Sequence, residues 1–158
     1  MYKTVVDKIT VFYNICRGIK MNEKIYSLIG LKYGFSKDEN HCVDLCRKFY
    51  ALHGWKEDFR DGKDDPETLE EFNKNHKLRL LRYLLKNFDK VKDTYALEYG
   101  DVVIFDVLGD LHCGIFIGNG DIIAMEVPCG DGSRSAVYKY KFWKQAFLCA
   151  FRRRKDSE

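Results

Sequence analysis

Apolar and polar positions divide the chain into a helical part followed by a strand-rich part. Ile25, Leu28, Ile29 and Leu31 suit a short helix within residues 22–35 that runs into a turn at Tyr33-Gly34. Val43, Leu45, Cys46, Phe49, Tyr50 and His53 come close to the i, i+3, i+4, i+7 spacing of a half-buried helix. Asn40 is its predicted cap and His53-Gly54 its end. Residues 56–94 are the most charged part and read as a helical insertion. Asp64-Asp65-Pro66-Glu67 marks a helix start, with Pro in the first turn and acids at the positive dipole end. Leu78, Leu81, Leu85 and Phe88 then supply a helical apolar stripe.

Beyond residue 95 the period changes. Val102-Val103-Ile104-Phe105 is a buried strand, and His112 to Ile117 and Asp121 to Val127 are the arms of a hairpin closed at Gly118-Asn119-Gly120. Val137 to Tyr140 and Phe147 to Phe151 suit further strands. Helices first and short antiparallel strands afterwards is the α+β order. The expected organisation is an N-terminal extension over 1–21, one domain over 22–154 and a tail over 155–158.

Composition adds boundaries rather than identity. With 46% hydrophobic and 32% charged residues in 158, the chain can bury roughly 70% of its unfolded surface and is neither disordered nor collagen-like. A net charge of +3 gives no footprint for nucleic acid, and Arg152-Arg153-Arg154-Lys155 reads as a solvated terminus. The apolar run near Val5 and Val11 is broken by Asp7, Lys8 and Thr10, so no signal peptide or membrane span is expected. Synthesis in a cytoplasm follows, with the six cysteines reduced and most of them acting as small apolar residues.

Cys42 carries the chemistry. It lies at the start of a helix, where the dipole favours a thiolate, and a nucleophilic thiol needs a base. His41 is adjacent but should point elsewhere, His53 closes the same helix, and His76 sits on a wet segment. His112 opens a strand before Cys113-Gly114, and a strand-borne imidazole facing a helix start is the geometry of a Cys–His pair. A zinc site from His41, Cys42, Cys46 and His112 lacks the second tight ligand pair, and Gly118-Asn119-Gly120 lacks the third glycine of a dinucleotide loop. No cofactor or metal is expected.

Five stretches follow one another in a set order: Ile29-Gly30-Leu31-Lys32-Tyr33; His41-Cys42-Val43-Asp44-Leu45-Cys46-Arg47 with Phe49-Tyr50; Tyr99 to Phe105; His112 to Gly120; and Trp143 with Phe147 to Arg152. In that order they resemble the "IGxPY" lead-in, "DCxGLVR", "PGDLVFF", "HVGIYLGNG" and closing strand of the NlpC-type papain-like cysteine peptidases, which cleave peptides of bacterial cell walls. Phe49-Tyr50 is similar to the compact versions associated with phage tails.

The resemblance implies an α+β papain-like fold with the Cys-bearing helix packed on an antiparallel sheet. It implies a thiol peptidase acting on peptidoglycan stem peptides, with phage tail-tip proteins as further partners and a virion location. Cys42 would be the nucleophile and His112 the base, with the Cys42 N–H and the Tyr33 hydroxyl stabilising the oxyanion. The family places an orienting His, Asn or Gln twelve positions after its catalytic His, and that position here is Ala124. A three-residue turn would pair His112 with Glu126, making Glu126 the substitute; the other reading is a solvated Glu126 and no orienting side chain. His41 and Asp44 also depart from the family's Cys loop, and Asp44 should raise the thiol pKa of Cys42. The alternative function is a tail-tip structural component that keeps the fold with weak or lost activity.

Overall fold

In the computed structural model, which describes residues 23–76, 78–127 and 129–155, six antiparallel strands form one sheet. The expected extension over 1–21 lies outside the described residues. The strands are β1 (Phe88–Lys90), β2 (Val102–Val107), β3 (Asp110–Phe116), β4 (Asp121–Met125), β5 (Ser135–Lys139) and β6 (Phe147–Arg153), in the spatial order β1-β6-β2-β3-β4-β5. Among the described residues, five α-helical segments accompany them: α1 (Glu23–Tyr26), α2 (Cys42–Leu52), α3 (Leu69–Glu71), α4 (Arg79–Asn87) and α5 (Tyr140–Trp143).

The period of two in β2 sorts its side chains between the two faces. Val102 and Ile104 pack with Leu45, Cys46 and Phe49 of α2 and with Cys113, Ile115, Ile123 and Met125 of β3 and β4. Val103 and Phe105 join Ile122, Ala124 and Ala150 on the other face, covered by Trp143, Phe147 and Tyr138. A strand buried on both faces explains the unbroken apolar run at 102–105. Burying each large side chain such as Phe49 or Leu45 stabilises by roughly 1.5–3 kcal/mol.

The hairpin has the three-residue turn. Phe116 pairs with Ile122 and Gly114 with Ala124, and the Ile117 N–H donates to the Asp121 carbonyl at 2.9 Å. Gly118, Asn119 and Gly120 all have positive φ, which two glycines and an asparagine accept readily. Gly114 answers to space instead: a Cβ there would stand 2.7 Å from Ile122 Cγ2 and 2.9 Å from the Ile123 carbonyl oxygen.

The structure corrects several helical expectations. His41, not Asn40, caps α2; the Asn40 N–H donates to Lys32 O at 2.9 Å instead. The helix start expected at 64–67 falls at Thr68, whose hydroxyl accepts the Glu71 N–H at 3.1 Å. Asp65 is drawn to Arg47 at 2.8 Å, and Arg47 also reaches Asp44 at 3.0 Å. This pairing ties the insertion to α2. In α4 the inward face is Leu80, Leu81 and Leu84, whereas Leu78 and Leu85 are exposed and Phe88 already belongs to β1. Arg152 is not solvated either, because its guanidinium grips the buried Asp101 at 2.8 Å.

Candidate active site

The first turn of α2 presents Cys42. The His41 N–H donates to the Asp44 carboxylate at 3.1 Å, and His41 Nδ1 accepts the Val43 N–H at 3.2 Å. This reciprocal cap leaves Cys42 as the first helical residue, where its own N–H has no intrahelical acceptor. His41 is buried and kept below its usual pKa by burial, so it serves as a neutral capping group. Cys42 is buried with Cys46 and Cys113, whose sulfurs lie 3.8 Å apart. The Cys113 thiol donates to Cys42, and this bond lowers the Cys42 pKa despite burial. Asp44 pushes it upward as expected, but the hydrogen bonds outweigh that push, and Arg47 draws on the same carboxylate.

His112 is buried in β3 with its Nε2 3.0 Å from the Met125 carbonyl oxygen. A carbonyl only accepts, so Nε2 carries the hydrogen and Nδ1 holds the free lone pair. Nδ1 lies 3.9 Å from Cys129 Sγ. The Trp143 ring stacks on the imidazole at 5.7 Å and 22°. Burial pulls the His112 pKa down to about 4, leaving the ring neutral at pH 7. The Met125 carbonyl thus occupies the position for which Glu126 was expected, and the Glu126 side chain is exposed. Ala124 packs with Val103, Phe105 and Ile122.

Cys42, His112 and Tyr33 line one cavity of about 180 Å³, and Cys129 lines it too. The structure therefore gathers the predicted nucleophile, base and hydroxyl donor at one site. No hydrogen bond joins Cys42 to His112, whose partners are Met125 and Cys129. Half-buried Tyr33 is held by its N–H to Ser133 O at 2.9 Å. Burial, followed by the nearby thiols Cys129 and Cys42, raises its hydroxyl pKa, so it stays a donor at neutral pH. Cys129 is raised to about 12, chiefly by burial, and remains a thiol. Sequence reasoning missed Cys129 because its approach to His112 depends on the path of the chain after β4. The other candidate base, His53, is occupied structurally, bonded to Phe49 O at 2.8 Å and the Tyr99 hydroxyl at 2.9 Å.

The side chains can supply a nucleophilic sulfur, a neutral imidazole base and an oxyanion donor around one cavity. Among the described residues, no group of three or more His, Cys, Asp or Glu side chains is placed to hold a metal ion. No helix among them is long and apolar enough to cross a membrane.

The structure is similar to those of NlpC1 and NlpC2 of Trichomonas vaginalis. For NlpC1 the TM-score is 0.51 at 16% identity over 82% of this chain, and for NlpC2 it is 0.52 at 14% over 82%. The chain spans 41% of the first and 43% of the second, less than half of either. No protein-family model and no curated protein matches the sequence. The fold is the α+β papain-like fold of NlpC type, with the Cys-bearing helix packed on an antiparallel sheet.

Proposed function

We propose that this domain is a thiol peptidase in which Cys42 attacks the carbonyl of a peptide bond. The supporting observation is that Cys42, at a helix start, shares a cavity with His112, whose Nε2–H is held by a carbonyl while Nδ1 stays unprotonated. As Cys42 Sγ bonds to the carbonyl carbon, its proton passes to His112 Nδ1 and then to the departing amine as the C–N bond breaks. Water then attacks the thioester carbon; its oxygen stays on the acyl group as the C–S bond breaks, and one of its protons passes through His112 to restore the Cys42 thiol. The Cys42 N–H and the Tyr33 hydroxyl meet the oxyanion.

The finer reading is hydrolysis of peptidoglycan stem peptides by a phage tail-associated enzyme. It draws on the resemblance of the motif series from Ile29 to Arg152, and its phage-tail part on Phe49-Tyr50 within that series. Digestion of purified peptidoglycan, with Cys42→Ala as control, tests it: new amino termini among the released peptides are expected only from the native chain. A second reading, a tail-tip component with weak or lost activity, draws on one observation. His112 Nδ1 is engaged by Cys129 rather than Cys42. Absence of cleavage together with stable capture by tail-tip proteins would favour it.

A further inference from the structure

Three thiols meet where α2 packs on the sheet, and the peptidase chemistry uses one of them. Cys42 and Cys46 are one turn apart on α2 and so share a face of it. Cys113 follows His112 along β3, and the alternation of a strand sends the two to opposite sides of the sheet. His112 stacks on Trp143, while Cys113 packs with Cys42, Cys46 and Leu45. The Cys113 sulfur is 3.8 Å from that of Cys46, and its thiol donates to Cys42.

The three differ in access. Cys46 and Cys113 are sealed from solvent at 0% and 1% exposure, and of the three only Cys42 lines the cavity of about 180 Å³. A small oxidant in that cavity therefore meets Cys42 and is kept from the other two. The bond from Cys113 favours the Cys42 thiolate, the form that attacks a peroxide, and its bonds to Cys42 and Cys46 hold Cys113 as a thiol. Packing asks only for small apolar side chains at 46 and 113. It does not ask for a thiol bonded to the one sulfur of the three that the cavity reaches.

We propose that Cys42 and Cys113 form an oxidative modification site, at which a hydroperoxide oxidises Cys42 and Cys113 closes a disulfide with it. With hydrogen peroxide, the Cys42 sulfur attacks one oxygen and the O–O bond breaks. Cys42 becomes a sulfenic acid, and the departing hydroxide takes up the thiol proton as water. The Cys113 sulfur then displaces the sulfenic hydroxyl, which leaves with the Cys113 proton as a second water. Two thiols are oxidised and one peroxide is reduced to two waters. The disulfide keeps Cys42 at a reversible level, short of sulfinic acid. It needs only a reactive Cys42; that it silences an enzyme rests on the peptidase reading.

Hydrogen peroxide added to the reduced full chain tests the site. Remaining thiols are blocked with iodoacetamide, and digests by endoproteinase Asp-N are mapped by mass spectrometry. Cuts before Asp44, Asp110 and Asp121 place Cys42, Cys46, Cys113 and Cys129 on four separate peptides. The first link to appear should join the Cys42 and Cys113 peptides and vanish on treatment with dithiothreitol. In Cys113→Ala, the share of oxidised Cys42 found as sulfinic acid should rise roughly tenfold. A first link from Cys42 to Cys129 or from Cys46 to Cys113, or sulfinic acid at Cys42 with no link, would overturn the proposal. The native chain alone decides this should Cys113→Ala fail to fold. A Cys42 alkylated by iodoacetamide but untouched by peroxide would overturn it and leave the peptidase reading standing. A Cys42 inert to both would remove that reading as well.

Discussion

His112 takes its orientation from Met125, through a 3.0 Å hydrogen bond from Nε2–H to a main-chain carbonyl. A carbonyl can set the tautomer as a carboxylate would, but it adds no charge. It also cannot be removed by changing the side chain of residue 125. The exposed Glu126 is therefore predicted to be dispensable. Glu126→Gln should leave the rate of Cys42 alkylation and its pH profile within twofold of the native chain. A fall of tenfold or more would return the orienting role to the carboxylate.

The depressed pKa of His112 makes stability depend on pH. Its folded value of about 4 lies below the 6.5 of an unfolded histidine, so the unfolded chain binds the proton first. The contribution is fully present above pH 6.5 and is lost as pH falls toward 4. Between pH 7 and pH 5, urea unfolding should show the native chain losing on the order of 2 kcal/mol more than His112→Gln. Asp61, held at about 2 by Arg79, responds mainly at lower pH. Equal losses in the two proteins would mean that the imidazole is not desolvated as the structure has it.

Tyr33 tests the oxyanion assignment. Removing one such donor typically costs about 3–4 kcal/mol of barrier. Tyr33→Phe should therefore lower turnover by roughly several hundredfold and leave the thermal midpoint within a few degrees. An unchanged turnover would take the hydroxyl out of the mechanism.

Cys129 occupies the nitrogen that Cys42 needs. Its thiol stays protonated near neutrality and can donate weakly to Nδ1 at 3.9 Å. Cys129→Ala should free that lone pair and speed Cys42 alkylation at pH 7 several-fold. If Cys129→Ala instead abolishes peptide cleavage while Cys42→Ala does not, the nucleophile is Cys129.

What the sequence disclosed was local. Val102 to Phe105 and the hairpin follow from period-two patterning and from Gly118-Asn119-Gly120, all within short stretches of chain, whereas the register stood open between a two-residue and a three-residue turn until the pairing of Gly114 with Ala124 decided it. The features that eluded it are non-local. β1 is three residues long, with two of them exposed, and exists because Phe88 to Lys90 pairs with β6. α4 is rotated from its expected face because Leu84, Tyr83 and Phe88 serve the cluster around Phe59. Within the site, Cys42, His112 and Tyr33 were legible as residue types in motif order. The Met125 carbonyl has no signature in residue type, and the Cys129 contact depends on how the chain turns after β4.

The most direct measurement is alkylation of the native chain by iodoacetamide from pH 5 to pH 9, resolved cysteine by cysteine by mass spectrometry, beside His112→Ala. A free thiol titrates near ~8.5, and a helix-start thiol supported by donors titrates lower. Cys42 should react ahead of Cys129 at pH 6 to 7 and slow at least tenfold in His112→Ala. A Cys42 that reacts like a buried, inert thiol in both proteins, or at the same rate in both, would contradict a Cys42–His112 pair.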